Sequence, residues 1–175
     1  MTGAAIAKPE PSEYAPYFSK YIELVQGDVL SAMATQIGKS LATLRKISDQ
    51  DSLKRYEPGK WSVREIIGHV IDAERVFAYR ALRFARNDPQ GLAGFEQDDY
   101  VAAARSDTRP WSDILEEFEL VRRANVLMFR GFDREAWLRQ GVSNQNPISV
   151  RALASIIAGH ELHHLRIIRE KYLAG

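Results

Sequence analysis

Apolar residues recur at spacings of three and four along four stretches of the 175-residue chain. Such spacings place apolar side chains on one face of an α-helix and polar side chains on the other. The pattern predicts four long amphipathic helices, near 28–48, 62–86, 111–130 and 150–172. It predicts no sheet of consequence, so the expected fold is an all-α four-helix bundle.

Boundary signals support the limits of these helices. Asp28 is placed to cap the first helix, and Ser62 with Glu65 predicts a capping box at the start of the second. Pro89 stops the second helix, and Gly131 lies directly behind the third.

A long crossover connection, residues 87–110, joins the second and third helices. Its middle, 94–101, is aromatic and acidic, and we expect a short helix near 98–104. Connections of this length often cover a functional site. After the third helix we expect one or two helical turns at 133–138, followed by a turn-rich segment at 141–147.

The domain organisation follows from the proline-rich start and the total length. Residues 1–16 are expected to form a flexible N-terminal arm, and 17–175 a single four-helix domain. A chain of 175 residues can bury a sizeable core, and 45% apolar with 27% charged residues is ordinary globular composition.

Charge and cysteine usage narrow the function. The net charge of +1 provides no excess of basic residues to neutralise phosphates, which argues against a nucleic-acid partner. The chain has no cysteine, which excludes disulfides, thiolate ligands and a cysteine nucleophile. No apolar run is long enough to span a membrane, and residues 1–12 show no signal-peptide pattern. We therefore expect a cytoplasmic protein with no membrane partner.

Three of the four histidines lie on the last predicted helix. His160 and His164 differ by roughly 40° around the axis and by about 6 Å along it, so both can bind one cation without backbone strain. Both fall inside the apolar stripe of this helix, whereas His163 falls about 60° away, at its edge. Imidazoles that face a core need either a metal or hydrogen-bonded partners, and the pattern alone leaves both open.

The fourth histidine, His69, lies on the second predicted helix, about 80° from the centre of its apolar face. On this pattern it is as compatible with a surface histidine as with a ligand. If the second and fourth helices are neighbours, His69 approaches His160 and His164. Three histidines from two facing helices would leave coordination positions open to water or substrate, as in catalytic metal sites.

Two segments resemble the DinB-like (DinB/YfiT-type) metalloenzyme superfamily. Its second-helix signature is similar to KWSVREIIGHVIDAER at 60–75, extended by FAYRALR at 77–83. Its final-helix motif is similar to AGHELHH at 158–164. The resemblance covers about residues 20–172, with the segments in the right order.

The resemblance implies a four-helix bundle that holds one divalent metal ion on three histidines. Carried over to this chain, the ligands are His69, His160 and His164. Imidazole donors suit zinc, nickel, copper and iron alike, and we expect zinc or nickel.

Other members of the superfamily are thiol-dependent enzymes, which implies a small-molecule substrate and a low-molecular-weight thiol as partner. We therefore expect a thiol-dependent S-transferase. A metal-dependent hydrolase and a non-catalytic, stress-associated metal-binding bundle remain open alternatives, and a helical interaction module would contain no metal at all. Bundles of this family often pair through helix faces, so a homodimer is also expected.

Five further residues are candidates for supporting the metal ligands or contacting substrate. Asp72 lies one turn from His69 and could accept its free N–H, although a solvated helix charge explains it equally well. Arg80 shares the side of His69 and could bind an anionic ligand, but a structural ion pair is the simpler interpretation. The remaining three lie on the crossover connection and could cover the site: Asp98, Asp99 and Tyr100.

Overall fold

The computed structural model describes residues 5–173 and shows a mainly helical chain. Four long helices form the body: α2 (Val29–Leu44), α3 (Val63–Ala85), α5 (Trp111–Arg130) and α7 (Val150–Ile167). The shorter elements are α1 (Ser19–Ile22), α4 (Gln97–Ala104), α6 (Arg134–Leu138), β1 (Gln140–Ser143) and β2 (Asn146–Ser149). Single 3₁₀ turns lie at Pro11–Glu13, Pro16–Phe18, Asp51–Leu53 and Ser106–Thr108.

The long helices pack as a closed ring around two clusters of buried apolar residues. The helix α3 contacts both α7 and α5, and α2 contacts the same two helices from the other side. This arrangement brings the second and fourth long helices together, and the contact between α3 and α7 is the most extensive in the bundle. The predicted four-helix bundle is confirmed.

The predicted capping signals are confirmed at both helix starts. The Asp28 side chain accepts a hydrogen bond from the backbone N–H of Ser31 at 2.8 Å. The Ser62 hydroxyl accepts from the N–H of Glu65 at 3.0 Å, and the Glu65 carboxylate accepts from the N–H of Ser62 at 2.8 Å. Both pairs satisfy backbone donors that the first helical turn leaves without partners.

The ends of two helices differ from the periodicity prediction. The helix α2 ends at Leu44 instead of continuing to residue 48, because the chain turns there toward the Asp51–Leu53 segment. The final helix is α-helical to Ile167 and then continues as a π-helical turn over Ile168–Tyr172. Apolar spacing alone does not distinguish these tighter and wider turns from a regular helix.

The turn-rich segment near 141–147 folds as a short antiparallel hairpin of β1 and β2. Asn144 and Gln145, at its tip, have φ angles of 47° and 63°. Two successive positive φ angles suit the right-handed twist of paired strands. Leu92 of the crossover connection pairs with Ser143, so the hairpin holds one end of that connection.

The described part of the predicted N-terminal arm lies against the bundle. The Glu13 carboxylate is buried and accepts a hydrogen bond from Nε of Arg151 on α7 at 2.8 Å. The N–H of Ile6 donates to the Asp28 carboxylate at 2.9 Å. Residues 1–4 of this arm lie outside the described part of the chain.

Gly159 allows α1 and α7 to approach backbone to backbone. A Cβ added at Gly159 would overlap the main-chain carbonyl group of Tyr21. Gly159→Ala should therefore lower the free energy of unfolding by about 2 kcal/mol or more, since overpacking against rigid backbone forces the helices apart. Urea denaturation would measure this change.

Gly38 provides the matched control, because it lies at an exposed position of α2 with nothing within 4 Å of an added Cβ. Gly38→Ala should raise the free energy of unfolding by about 0.5–1 kcal/mol through helix propensity. Equal effects of the two substitutions would show that Gly159 is not required for the close helix contact.

Candidate metal centre

Three buried imidazoles meet between α3 and α7. Nε2 of His160 lies 3.0 Å from Nε2 of His69 and 3.1 Å from Nε2 of His164. One nitrogen from each ring lies within 4.8 Å of the other two. All three side chains are buried, at 4–9% exposure.

The helices position these rings by simple geometry. His160 and His164 are separated by one turn of α7, so their rings project from the same face. His69 reaches them from α3, which packs along α7. The pattern had placed His69 on a flank, but α3 is buried on nearly all sides between Val63 and Ala73, so its flank is interior too.

The spacing of the nitrogens fits a bound cation better than mutual hydrogen bonding. Each ring nitrogen carries either one proton or one lone pair, so Nε2 of His160 cannot bond fully to both neighbours. Metal–nitrogen bonds of about 2.0–2.1 Å, at angles of roughly 90–110°, place ligand nitrogens about 2.9–3.4 Å apart. The two shortest distances in the cluster lie in this range.

Burial keeps the three imidazoles neutral. It lowers the pKa of His69 to about 4, partly opposed by the negative charge of Asp98. It lowers the pKa of His164 to about 2, and the pKa of His160 falls well below its usual value. Neutral imidazole is the form that binds a metal, so the cluster is ready to act as a donor set at neutral pH.

His163 lies outside the cluster. Its ring packs edge-on against Tyr21 with centroids 5.3 Å apart, and it is only partly buried. Tyr21 also packs edge-on against His160, with ring centroids at 5.2 Å. The short helix α1 therefore covers the cluster on one side and separates the two histidine environments.

A cavity of about 440 Å³ opens beside the cluster and is lined by both His69 and His160. Aromatic residues form much of its wall: Tyr17, Phe18, Tyr21, Phe77 and Phe95. Residues of α3, the crossover connection and the hairpin provide most of the remaining wall. A volume of this size accommodates a small organic molecule next to the imidazoles.

Two of the five additional candidates line this cavity, namely Arg80 and Asp98. Asp72 does not support His69, because no hydrogen bond joins them among the described residues and its carboxylate faces Arg75 at 3.9 Å. Burial raises the pKa of Asp72. Asp99 and Tyr100 are exposed on α4 and do not line the cavity, although the Tyr100 ring packs on Phe95 with centroids 5.0 Å apart.

Sequence reasoning missed a buried network of charges behind the cluster. Arg122 donates to both oxygens of Glu74, at 2.9 and 2.8 Å, and also to Glu161, the neighbour of His160. Gln36 and Ser40 donate to Glu161 as well. Although burial alone would lower it, the two carboxylates hold the pKa of Arg122 above its usual value. The network joins all four long helices and immobilises α7 next to the ligand pair.

A sequence signal for this network did exist. Arg122 follows Phe118 by four residues and precedes Val126 by four, so it lies inside the apolar stripe of α5. Glu74 lies in the same way between Val70 and Phe77 on α3. A charge inside an apolar stripe indicates a buried partner, but the stripe does not tell which helix provides it.

The sequence profile described as the DinB superfamily matches residues 32–168, more than three quarters of the chain. The chain belongs to the DinB superfamily. The match includes α3 and all of α7, the two helices that provide the histidines.

Two individual proteins are similar to this DinB-superfamily chain, one in sequence and one in structure. It is 25% identical over 143 residues to "Putative metal-dependent hydrolase OB0413" of Oceanobacillus iheyensis, covering 80% of this chain and 81% of that protein. YfiT from Bacillus subtilis, described as a probable metal-dependent hydrolase with an unusual four-helix bundle topology, superposes with a TM-score of 0.71. That likeness covers 94% of this chain and 90% of YfiT, at 17% identity.

A thiol-dependent enzyme has a similar fold. The mycothiol-dependent maleylpyruvate isomerase superposes with a TM-score of 0.67 and 10% identity, covering 85% of this chain and 62% of the isomerase. At this identity the likeness shows the shared fold alone. Among residues 5–173, no helix has both the length and the apolar character needed to cross a membrane.

Proposed function

We propose that this DinB-superfamily chain is a metal-dependent enzyme in which His69, His160 and His164 hold one divalent cation, with zinc or nickel expected. The observation that carries this proposal is the convergence of three buried, neutral imidazoles, of which His69 and His160 line a cavity large enough for a substrate. A closed structural site would have a fourth protein ligand and no such cavity.

For the reaction we propose a thiol-dependent S-transfer. When bound, a divalent cation lowers the pKa of a thiol that reaches it, so that a thiolate exists at neutral pH. Since the chain has no cysteine, the thiol is a low-molecular-weight cosubstrate. The aromatic wall around Tyr21 and Phe77 excludes water from the thiol and electrophile.

Asp98 is the residue proposed to handle protons. Asp98 lines the cavity, and its negative charge acts on His69. A carboxylate there can accept the proton that an incoming thiol releases. The crossover connection carries Asp98 on α4, which fits the expectation that this long connection covers the site.

Metal-dependent hydrolysis is the second candidate, and the names of the Oceanobacillus iheyensis relative and of YfiT favour it. In that reaction water replaces the thiol as nucleophile, and Asp98 would accept its proton in the same position. The two reactions use the same residues, so their difference lies in which nucleophile the cavity admits.

Metal analysis followed by matched assays tests the proposal. Untagged protein should contain close to one divalent ion per chain. It should then be assayed with glutathione and an electrophile such as 1-chloro-2,4-dinitrobenzene, and separately with p-nitrophenyl esters. Thiol conjugation that disappears after chelation and returns with added metal supports S-transfer. Ester hydrolysis with the same metal dependence supports the hydrolase, and neither activity across a broad panel supports a non-catalytic bundle.

A homodimer in a cytoplasmic setting stays part of the proposal. Leu120 and Leu127 lie two turns apart on α5 and are more than half exposed, which supports pairing through this helix. Light scattering at micromolar concentration would detect the dimer.

A further inference from the structure

Arg80 is a deeply buried cation that has no anionic partner. Its side chain is 5% exposed, yet no carboxylate oxygen of the described residues lies within 4.0 Å of its charged nitrogens. The other deeply buried arginines differ: Arg122 is paired with two glutamates, and Arg64 lies 2.7 Å from Asp49. The ion pair that the sequence suggested for Arg80 is therefore absent from residues 5–173.

The surroundings of Arg80 leave most of its hydrogen-bonding capacity unused. A guanidinium has five N–H donors, and the hydrogen bond found for Arg80 goes from Nη2 to the carbonyl oxygen of Ala93 at 2.7 Å. The aromatic rings of Phe77 and Phe95 pack beside it, with centroids 5.7 and 5.8 Å from Cζ and 6.3 Å from each other. They orient the guanidinium but do not neutralise its charge.

An unpaired buried charge is costly, and burial accordingly lowers the pKa of Arg80. Glu96 and Asp98 line the same cavity but neither forms an ion pair with it. A buried charge that lowers the stability of the fold and lines a cavity is more readily explained by a role in ligand binding than by a role in folding. The bond to Ala93 satisfies one N–H donor of Arg80. It does not account for the positive charge, which has no partner among the described residues.

Ser143 provides a second, independent observation in the same place. Ser143 lines the cavity and is 6% exposed, and its buried Oγ has no hydrogen-bond partner among the described residues. Ser143 pairs with Leu92 of the crossover connection, and Arg80 bonds to Ala93, the next residue. Both residues therefore contact the same short stretch of the connection and line the same cavity.

We propose that Arg80 and Ser143 bind an oxyanion, a carboxylate or a phosphate, of the molecule whose other end reaches the histidine cluster. A guanidinium matches the planar geometry of a carboxylate and can donate to it through two parallel bonds, and the serine hydroxyl adds a third. The choice of substrate class rests on the proposed function, whereas the anion site itself rests only on these two residues and the cavity.

The geometry of α3 also limits the shape of this molecule. Arg80 follows His69 by eleven residues, which is about three helical turns on the same face and about 16 Å along the axis. Phe77 lies between them and lines the cavity. The expected ligand is an organic acid with an apolar or aromatic body, because aromatic rings form much of the cavity wall.

Binding of small model acids tests the proposal without any assumption about the reaction. The probes are 3-phenylpropanoate and phenyl phosphate, with the neutral 3-phenylpropan-1-ol as control, and calorimetry measures their affinity. Arg80→Gln should weaken binding of at least one acid by about tenfold or more and leave the alcohol unchanged. Ser143→Ala should weaken the same acid several-fold. The acid that responds distinguishes a carboxylate site from a phosphate site.

Arg86→Gln is the matched control, since Arg86 lies on the exposed end of the same helix, with its guanidinium over the Phe132 ring and outside the cavity. It should bind all probes like the wild type. Arg80→Gln should also unfold at the same temperature as the wild type or higher, because it removes an uncompensated buried charge. If Arg80→Gln does not fold, Arg80→Lys replaces it in the test. This variant keeps the positive charge but lacks the planar guanidinium, so it should still bind the acid more weakly than the wild type.

Several results would overturn the proposal. The first is that the wild type binds neither acid, and the second is that the folded Arg80 variant binds the acids with unchanged affinity. The third is that the variant loses affinity for the acids and the alcohol equally, which would indicate a purely structural role for the bond to Ala93. His164→Ala separates this site from the proposed enzyme function. Acid binding that depends on Arg80 should persist in that background even if no metal-dependent activity is ever found.

Discussion

His164→Ala is expected to abolish stoichiometric binding of a divalent cation. The substitution removes one of three converging nitrogens and leaves two imidazoles without a third donor among the described residues. Loss of a group that merely orients a ligand lowers metal affinity by about 10–100-fold, so loss of a ligand should exceed the upper end of that range. Metal analysis of untagged protein after dialysis measures the result.

His163→Ala is the matched control, one residue away on the same helix. Its ring lies against Tyr21 and outside the cluster, so the variant should keep its metal. Loss of metal in His163→Ala together with retention in His164→Ala would show that both the helix-face geometry and the assignment from the family are wrong at this position.

Arg122→Met is expected to produce the largest loss of stability, about 3–5 kcal/mol. It leaves Glu74 and Glu161 as two buried carboxylates without their shared cation, and breaking a buried pair from one side costs about that much. The change also removes the hydrogen bonds by which Arg122 joins α5 to both histidine-bearing helices. Urea denaturation of the metal-free variant and the wild type compares their free energies of unfolding.

Arg123→Met, the adjacent substitution, controls for the removal of an arginine from α5. The Arg123 side chain is 69% exposed and pairs with Glu119 on the helix surface, so its loss should cost less than about 1 kcal/mol. Similar stabilities of the two variants would show that the buried network does not stabilise the bundle. A restored stability in an Arg122→Met, Glu74→Gln, Glu161→Gln combination would show that the cost came from unpaired charge.

The buried network that stabilises the bundle lies directly beside the candidate metal site. Glu161 accepts from Arg122, Gln36 and Ser40, and it directly follows His160 on α7. Glu161 and His160 project from one rigid helix about 100° apart, so their directions cannot change independently. The network therefore fixes the rotation of α7 and with it the direction of the two imidazoles, as a rigid scaffold for a metal requires.

Much of the fold could be predicted because its signals are local. Apolar spacing and the capping residues Asp28 and Ser62 define helices from neighbouring positions alone, and α2, α3, α5 and α7 lie where those signals placed them. The hairpin escaped prediction because its tip, Asn144 and Gln145, uses positive φ angles without a glycine. The end of α2 at Leu44 escaped because apolar spacing continued past it.

The sequence by itself determined the helices, the shared face of His160 and His164, and the absence of any cysteine that could act as nucleophile or ligand. Helical periodicity left His69 on a flank, and only the family resemblance pointed to it as the third ligand. The tertiary structure shows that His69, 91 residues before His160, meets the other two imidazoles, and that Arg80 lines a cavity without forming an ion pair to either of its carboxylates. The physical reason is that sequence periodicity carries only local information. Helical periodicity orients a side chain relative to its own axis, whereas partners and burial depend on which helix packs against that face.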